Sequence, residues 1–438
     1  MMRVVDNHRA KITNLPPDWK ERRMKVAVRH YQTEKNTNPN PTVLSLTKFG
    51  VRIKTDLSFG KSTENYVGHQ VVRQGQFVFT PRDFDATPIL CGVSQYDGCI
   101  SNLYIVFDIT HEIYPKFLEY YFYGLKYGCN YFEKLSFGMR YSFNRTQFEA
   151  IPLAYPKHAT QKAIAEFLDR ETTRINQMIE KKQRLVELLE EKISGTIDQA
   201  VTTGMDRSVL CKISGIPWLH RTPAHWQVER AKYLYYEAKR PPREEDKVIT
   251  AFRDGQVTLR ENRRTEGFTF AVKEVGYQHI NKGDLVIHTM DAFAGAIGVS
   301  ESDGKSTGEY AVCVARSNRV NNHYYAYLLR CMAKRNYIFV LCPSVRERAP
   351  RFRFVRFAPV LLPVPPRDEQ DQIVDYIEES TCRLYVLKDK TNESINRLRE
   401  FSSALITAAV TGQIDVETWG KRDDTDRRLG NIEQGMAS

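Results

Sequence analysis

Arginine is the residue whose spacing in this sequence could do chemistry. The stretch SVRERAPRFRFVRF (Ser344 to Phe357) carries Arg346, Arg348, Arg351, Arg353 and Arg356 against a lone Glu347, with Phe352, Phe354 and Phe357 interleaved. A guanidinium offers a flat fork of donors that fits phosphate or the O6/N7 edge of guanine. Read as a strand, 351–356 puts Arg351, Arg353 and Val355 on one face and Phe352, Phe354 and Arg356 on the other. An earlier stretch, MRYSFNRTQFEAIP (Met139 to Pro152), keeps Arg140 and Arg145, with Tyr141 and Phe143 over the phenylalanines. The candidate DNA-contacting set is therefore Arg140, Tyr141, Arg145, Arg346, Arg348, Arg351, Phe352, Arg353 and Arg356. The competing reading is a solvated basic edge strand. KRPPR (Lys239 to Arg243) and RENRR (Arg260 to Arg264) read as loops rather than readers.

Motifs for catalysis fail one by one. GKST stands at Gly60 to Thr63 and Gly304 to Thr307, but a phosphate loop needs a glycine five residues before Gly-Lys, where Thr55 and Val299 stand. NLPPD (Asn14 to Asp18) has Leu15 inserted and lacks the aromatic of an Asn-Pro-Pro-aromatic base clamp. PRDFDAT has no Asp/Glu-x-Lys at nuclease spacing, and no Ser/His/Asp set can be singled out. No catalytic residue and no cofactor are expected in this chain.

The 438-residue composition bounds the partners. It has 42% hydrophobic and 27% charged residues, the balance of a globular domain, and a net charge of +11 that suits a polyanion. No apolar run approaches about 18 residues, so no membrane span is expected. The start, MMRVVDNHRAKITNLPPDW, has no apolar h-region, so the expected compartment is the cytoplasm. Eight cysteines stand without a Cys-x-x-Cys pair and read as reduced thiols; no structural zinc is expected.

The sequence is written twice. PPDWKERRMK (Pro16 to Lys25) matches PAHWQVERAK (Pro223 to Lys232) at an offset of 207. RQGQFVF (Arg73 to Phe79) matches NKGDLVI (Asn281 to Ile287) at 208, and CGVSQYDGC (Cys91 to Cys99) matches IGVSESDGK (Ile297 to Lys305) at 206. The two arginine stretches align at 211, and QKAIAEFLDRETTRI (Gln161 to Ile175) matches QDQIVDYIEESTCRL (Gln370 to Leu384) at 209. Matches in one order with nearly constant offset mean a tandem duplication over about 12–206 and 213–416.

Each copy changes texture once. QFVFT, NLYIVFD, DLVIHT and YAVCVA read as strands and YPKFLEYYFYGLKY as a short helix, giving an α+β globular domain. Residues 160–203 and 369–411 lack proline, with Gly195 as the single glycine. Spacings of four and three from Ile373 mark a seam through Ile377, Ser380, Leu384, Leu387, Thr391, Ser394, Leu398, Phe401, Leu405 and Ala408, mostly apolar. The first copy gives Ile164, Leu168, Glu171, Ile175, Met178, Lys182, Leu185 and Leu189. A helix this long spans about 65 Å at 1.5 Å per residue and needs an equally long partner, for which the other copy is the obvious one. Gly204 and Gly412 stand where C-terminal caps belong. The expected fold class is α+β: two tandem α/β target-recognition domains separated by two long helices packed as an antiparallel coiled coil.

This layout resembles the DNA-specificity subunit of Type I restriction-modification systems. The likeness rests on IPLAYPKHATQKAIAEFLDRETTRI and LLPVPPRDEQDQIVDYIEESTCRL, on LPPDW and TPAHW opening the copies, and on KGDLVI and AAVTGQID. Copy one departs by Thr160-Gln161 in place of Glu369-Gln370 and by an extra threonine in AVTTGMD. The resemblance implies recognition domains over 1–156 and 207–366, long helices over 157–206 and 367–416, and a polar tail over 417–438. It implies double-stranded DNA as ligand, each domain reading half of a bipartite asymmetric site, with the helices as ruler. It also implies two modification subunits carrying S-adenosylmethionine chemistry on adenine, and restriction subunits using ATP and Mg. Competing functions are a stand-alone DNA-binding regulator and, less favoured, a self-contained methyltransferase or nuclease.

Overall fold

The structure, a computed structural model, describes residues 15–48, 50–55, 65–82, 91–132, 144–206, 208–263, 276–342, 351–421 and 424–437. It divides into two compact units, residues 1–185 with 390–438 and residues 186–389. Each unit takes the globular domain of one copy, the first part of that copy's long helix and the last part of the other's.

In unit 1 the strands are β1 (Lys20–Arg23), β2 (Val28–Tyr31), β3 (Leu44–Thr47), β4 (Gly50–Ile53), β5 (Gln70–Val72), β6 (Phe77–Phe79), β7 (Cys91–Val93), β8 (Gly98–Ile100), β9 (Ile105–Ile109) and β10 (Pro152–Tyr155). Helix α1 (Pro115–Tyr123) opens on a proline that has no N–H to leave unpaired. The short α2 (Arg145–Ala150) opens on a reciprocal capping box between Asn144 and Gln147. Strands run β2-β9-β6-β7 in an antiparallel sheet, with β1-β10, β3-β4 and β5-β8 as two-stranded ribbons. Phe77, Phe79, Phe107, Phe122 and Phe148 pack between the sheet and α1, all fully buried.

Helix α3 (His158–Thr203) leads into unit 2, where β11 (Cys211–Ile216) and β12 (Leu219–Pro223) form a hairpin in the linker between copies. There follow β13 (Gln227–Arg230), α4 (Ala231–Leu234), β14 (Tyr235–Glu237), β15 (Ile249–Ala251), β16 (Val257–Leu259), β17 (Gln278–Ile280), β18 (Leu285–His288), β19 (Ile297–Val299), β20 (Gly304–Ser306), β21 (Tyr310–Ala315), α5 (Asn322–Lys334), α6 (Tyr337–Val340), α7 (Phe354–Phe357) and β22 (Leu361–Val364). The sheet β14-β21-β18-β19 and the ribbons β13-β22, β15-β16 and β17-β20 repeat unit 1 strand for strand. Helix α8 (Arg367–Val410) then returns, followed by α9 (Val416–Lys421) and α10 (Asp424–Ala437).

The long helices pack antiparallel within each unit. In unit 1, Ile164, Leu168 and Ile175 of α3 share a core with Leu398, Leu405 and Val410 of α8. In unit 2, Ala200 and Val201 of α3 share one with Ile373, Val374 and Ile377. The predicted seam is buried at Ile373, Ile377, Thr391, Ser394, Leu398, Phe401 and Leu405, and thins at Leu384 and Leu387. Each helix is ended by a glycine at positive φ, +77° at Gly204 and +71° at Gly412, and each packs against the other copy's opening tryptophan. A side chain on Gly412 would stand 2.5 Å from Pro16 Cδ, and one on Gly204 3.5 Å from Trp226 Cζ2.

The repeated Gly-Val-Ser-x-x-Asp-Gly motif is a structural landmark. Ser94 Oγ donates to the Tyr96 carbonyl at 2.7 Å and Ser300 Oγ to that of Ser302 at 2.8 Å. Asp97 accepts from the Gln74 amide at 2.7 Å and Asp303 from that of Lys282, also at 2.7 Å. Gly98 and Gly304 pass so near a neighbouring strand that a Cβ would meet the Thr42 carbonyl at 2.5 Å or the Lys247 carbonyl at 2.6 Å. The second GKST, Gly304 to Thr307, includes strand β20; the first lies outside the described residues. The tail, expected only as polar, is largely helical. Val416 and Leu429 join the unit 1 core, and Arg428 stacks over Trp419 at 5.1 Å.

Candidate nucleic-acid interface

The buried glutamine of each copy's helix entry fixes the domain that carries the interface. Gln161 Nε2 donates to the carbonyls of Glu112 (2.8 Å) and Pro156 (3.0 Å), and its oxygen accepts from the Tyr114 amide at 2.8 Å. Gln370 repeats this on Arg319 (3.0 Å), Pro365 (2.9 Å) and the Asn321 amide (2.8 Å). Both side chains are fully buried. Three satisfied backbone groups per residue explain why glutamine stands there in both copies.

The two arginine stretches meet the fold two residues out of the expected register. Ile151 and Val360 are equivalent: their carbonyls accept from the amides of Met24 (2.7 Å) and Ala231 (2.8 Å). The offset is thus 209 rather than 211, so Phe148 matches Phe357, both fully buried, and Asn144 matches Arg353 as the residue before a short helix.

Arg140, Tyr141, Arg346 and Arg348 lie outside the described residues. The expected strand over 351–356 is not formed: 351–353 is extended and Phe354–Phe357 turns helical. That turn brings Phe354 and Phe352 each within 6.0 Å of Phe357, so aromatic packing decides the local backbone. Phe352 is corrected as a DNA contact, because it is 1% exposed and its amide donates to the Thr289 carbonyl at 2.8 Å. Arg351, Arg353 and Arg356 are exposed, and Arg351 pairs with Glu309 at 3.2 Å. In copy one, Arg145 is exposed with its guanidinium 4.5 Å from the Tyr31 ring centre, and the Tyr31 hydroxyl donates to Glu149 at 2.9 Å. Burial, then that carboxylate, raises the Tyr31 pKa, so the ring stays a neutral platform for the arginine.

Arg145 and Arg353 border equivalent concavities. In unit 1 a hollow of about 440 Å³ is lined by Lys35, Gln70, Arg82, Asn102, Asn144 and Arg145 among others. In unit 2 a hollow of about 680 Å³ is lined by Lys239, Arg240, Tyr277, Gln278, Tyr310 and Arg353 among others. Both lie beside the first strand of the four-stranded sheet, the start of its second, and the short helix. Both have a glutamine on the ribbon strand: Gln70 Nε2 donates to the Tyr104 carbonyl at 2.9 Å and Gln278 Nε2 to that of Tyr310 at 2.6 Å. Lys239 and Arg240 come from KRPPR, which is a loop and borders the hollow. Arg240 is partly committed to Asp284 at 2.5 Å, whereas the Lys239 side chain is 79% exposed. Arg263 of RENRR pairs with Asp254 at 2.7 Å and lies over the Phe252 ring at 4.3 Å. Lys35, Arg82 and Asn144 escaped the sequence reading because they come from separate segments that only the fold joins.

A buried network supports the unit 2 hollow. His279 Nδ1 bonds Asp246 at 2.7 Å and its Nε2 bonds Asn281 at 2.8 Å. Burial alone would raise the Asp246 carboxyl, but the Arg243 amide and His279 outweigh it and hold it below the usual range. Among the described residues no cluster of three or more His, Cys, Asp or Glu could hold a metal, and no helix is long and apolar enough to cross a membrane.

Comparison with known proteins follows this geometry. Residues 64–188 match the family model of the Type I restriction modification DNA specificity domain. No curated protein matches the chain. A solved structure described as the "structural basis underlying complex assembly and conformational transition of the type I R-M system" aligns at TM-score 0.66 and 14% identity, over 92% of this chain and all of that one. The HsdS subunit from Thermoanaerobacter tengcongensis aligns at TM-score 0.47 and 15% identity over 91% of this chain and 98% of its own. The matched residues lie in copy one and run into its long helix, copy two repeats the same strand pairing, and the chain shares the fold of that solved type I R-M structure over nearly its whole length.

Proposed function

We propose that the chain reads a bipartite, asymmetric double-stranded DNA site, one half per recognition domain, with domains over 1–156 and 207–366. The helices over 157–206 and 367–416 set the unread spacer and dock two modification subunits, and restriction subunits join that assembly in the cytoplasm. Methylation of adenine, with its S-adenosylmethionine, and cleavage, with ATP and Mg, belong to those partners. The observation that carries this reading is the pair of equivalent hollows. Each has a basic rim, the same glutamine and the tyrosine that glutamine bonds, while most other lining residues differ. A kept scaffold with changed lining is what two readers of different words require. Arg145 serves the first half-site; Arg351, Arg353 and Arg356 serve the second.

The test is a methylome. The complex with its modification subunits, expressed in a methylation-free host, should place N6-methyladenine in a split motif. Arg353→Ala should relax or abolish recognition of one half only, with a loss of about 1–3 kcal/mol, and Arg145→Ala should affect the other half. Equal damage to both halves overturns the assignment. A stand-alone regulator would instead bind its site without the modification subunits.

A further inference from the structure

Unit 1 has a second basic surface outside its hollow. Along β1, the following turn and β2, the side chains of Lys20, Arg22, Arg23, Lys25 and Arg29 are all exposed, and the one acidic residue in residues 20–30 is Glu21. Among the described residues Arg22, Arg23, Lys25 and Arg29 form no ion pair; Arg22 donates to the Glu21 carbonyl at 2.9 Å, which leaves its charge in place. Clustered like charges in water oppose the compact state, so the fold gains nothing from them.

This surface adjoins the hollow. Arg22, Arg23 and Lys25 line a shallow depression of about 650 Å³ whose other wall is Thr146, Glu149 and Ala150 of α2. Arg145, the first residue of that helix, borders the hollow on the other side. Helix α2 is thus a ridge between two basic depressions. Glu149, the lone carboxylate in the shallow one, already accepts from the Tyr31 hydroxyl. Copy two keeps only part of this surface, with Arg230 and Lys232 still basic and exposed. The matching positions are Gln227, Glu229, Arg230, Lys232 and Tyr236, and Glu229 is held by Arg319 through two bonds of 2.8 and 2.7 Å.

We propose that the β1–β2 face is a sequence-independent clamp on the phosphate backbone of double-stranded DNA, extending the footprint of unit 1 past its hollow, with fewer cations at the matching face of unit 2. This rests on the reading that the hollows hold DNA. Exposed arginines on a strand and turn beside a reading hollow contact phosphates without reading bases, and each neutralised phosphate releases condensed counterions. An acidic protein surface is the competing occupant; the continuity through α2 with the Arg145 hollow favours DNA.

The experiment is a salt titration of the complex, with its modification subunits, on a fluorescein-labelled duplex of mixed sequence. The variant Arg22→Gln/Arg23→Gln/Lys25→Gln/Arg29→Gln should lower the slope of log K against log salt by about 0.9 for each phosphate that is no longer neutralised. The methylated motif should stay the same. Single Arg23→Gln and Arg29→Gln variants should each take about one such step, and Arg22→Lys/Arg23→Lys/Arg29→Lys should restore the slope. An unchanged slope in folded variants overturns the proposal. An unchanged slope together with weakened modification-subunit binding assigns the face to a protein partner and overturns it equally. If the parent complex binds no duplex, the reading of the hollows falls instead, which is a distinct result.

Discussion

The two copies secure the same joint, where the recognition domain meets the helices, by different chemistry. In unit 2 the joint is pinned by polar contacts. Glu369 accepts from Trp226 Nε1 at 3.0 Å and bonds His225 at 2.8 Å, the Tyr324 hydroxyl donates to the Val201 carbonyl at 3.0 Å, and Arg335 pairs with Asp198 at 2.6 Å. In unit 1 Thr160 stands at the position of Glu369 and Phe117 at that of Tyr324. There Trp19 is edge-on to Phe117 at 6.2 Å, and the core is extended by α9 and α10. The opening tryptophan is kept in both, as are the glutamine, the glycine caps and the serine–aspartate turn. The last three are the positions where the backbone itself dictates the residue; elsewhere any packing that closes the joint suffices.

The comparison can be broken most severely at what the copies share. Gln161→Leu and Gln370→Leu each leave three buried backbone groups unpaired, and each should cost about 3 kcal/mol or more in its own unit. Hydrogen exchange resolved by unit is the measure, and an effect on one copy alone would deny their equivalence. Next, Leu429→Ala should destabilise unit 1 by about 2 kcal/mol and leave unit 2 unchanged, because it removes a side chain buried against unit 1 alone. Equal destabilisation of both units would mean the tail is no substitute for the polar pins. A smaller effect, about 1 kcal/mol, is expected from Glu369→Ala in unit 2, where a partly buried pin is removed; Thr160→Glu should bring some of that stability to copy one.

The smallest expected effect is acid sensitivity confined to unit 2. The Asp246 carboxyl is held lower in the fold than when unfolded, so its stabilisation is present above the unfolded value, about pH 4, and is lost as pH falls through the folded one. Exchange at β17 and β20 should quicken there below about pH 4, and Asp246→Asn should remove that dependence.

The duplication, the long helices and their caps were legible because they depend on periodicity and on single residue types at fixed offset. Gln161 and Gln370 were visible as part of a signature, though not for the bonds they make. The arginine stretches were read two residues out of register because Phe143 and Phe354 invited alignment, whereas burial selects Phe148 and Phe357. Phe352 was assigned to the surface because alternation assumed a strand that aromatic packing bends into a helical turn. The helical tail escaped notice because its apolar residues, Trp419, Leu429 and Ile432, are too sparse to show a face.

The split of unit 1 between two stretches of sequence also sets an order of assembly during synthesis. Unit 2 is one continuous segment, residues 186–389, and all of it has been made before residue 390 appears. Unit 1 begins before unit 2 yet waits for residues 390–438 to bring Leu398, Leu405 and Gly412 to a partner surface made some two hundred residues earlier. Of the two units, the one whose synthesis begins earlier is therefore the one completed later. Until then Ile164, Leu168 and Ile175 of α3 lack the α8 side chains they pack against, and apolar surface exposed in that interval favours misassembly.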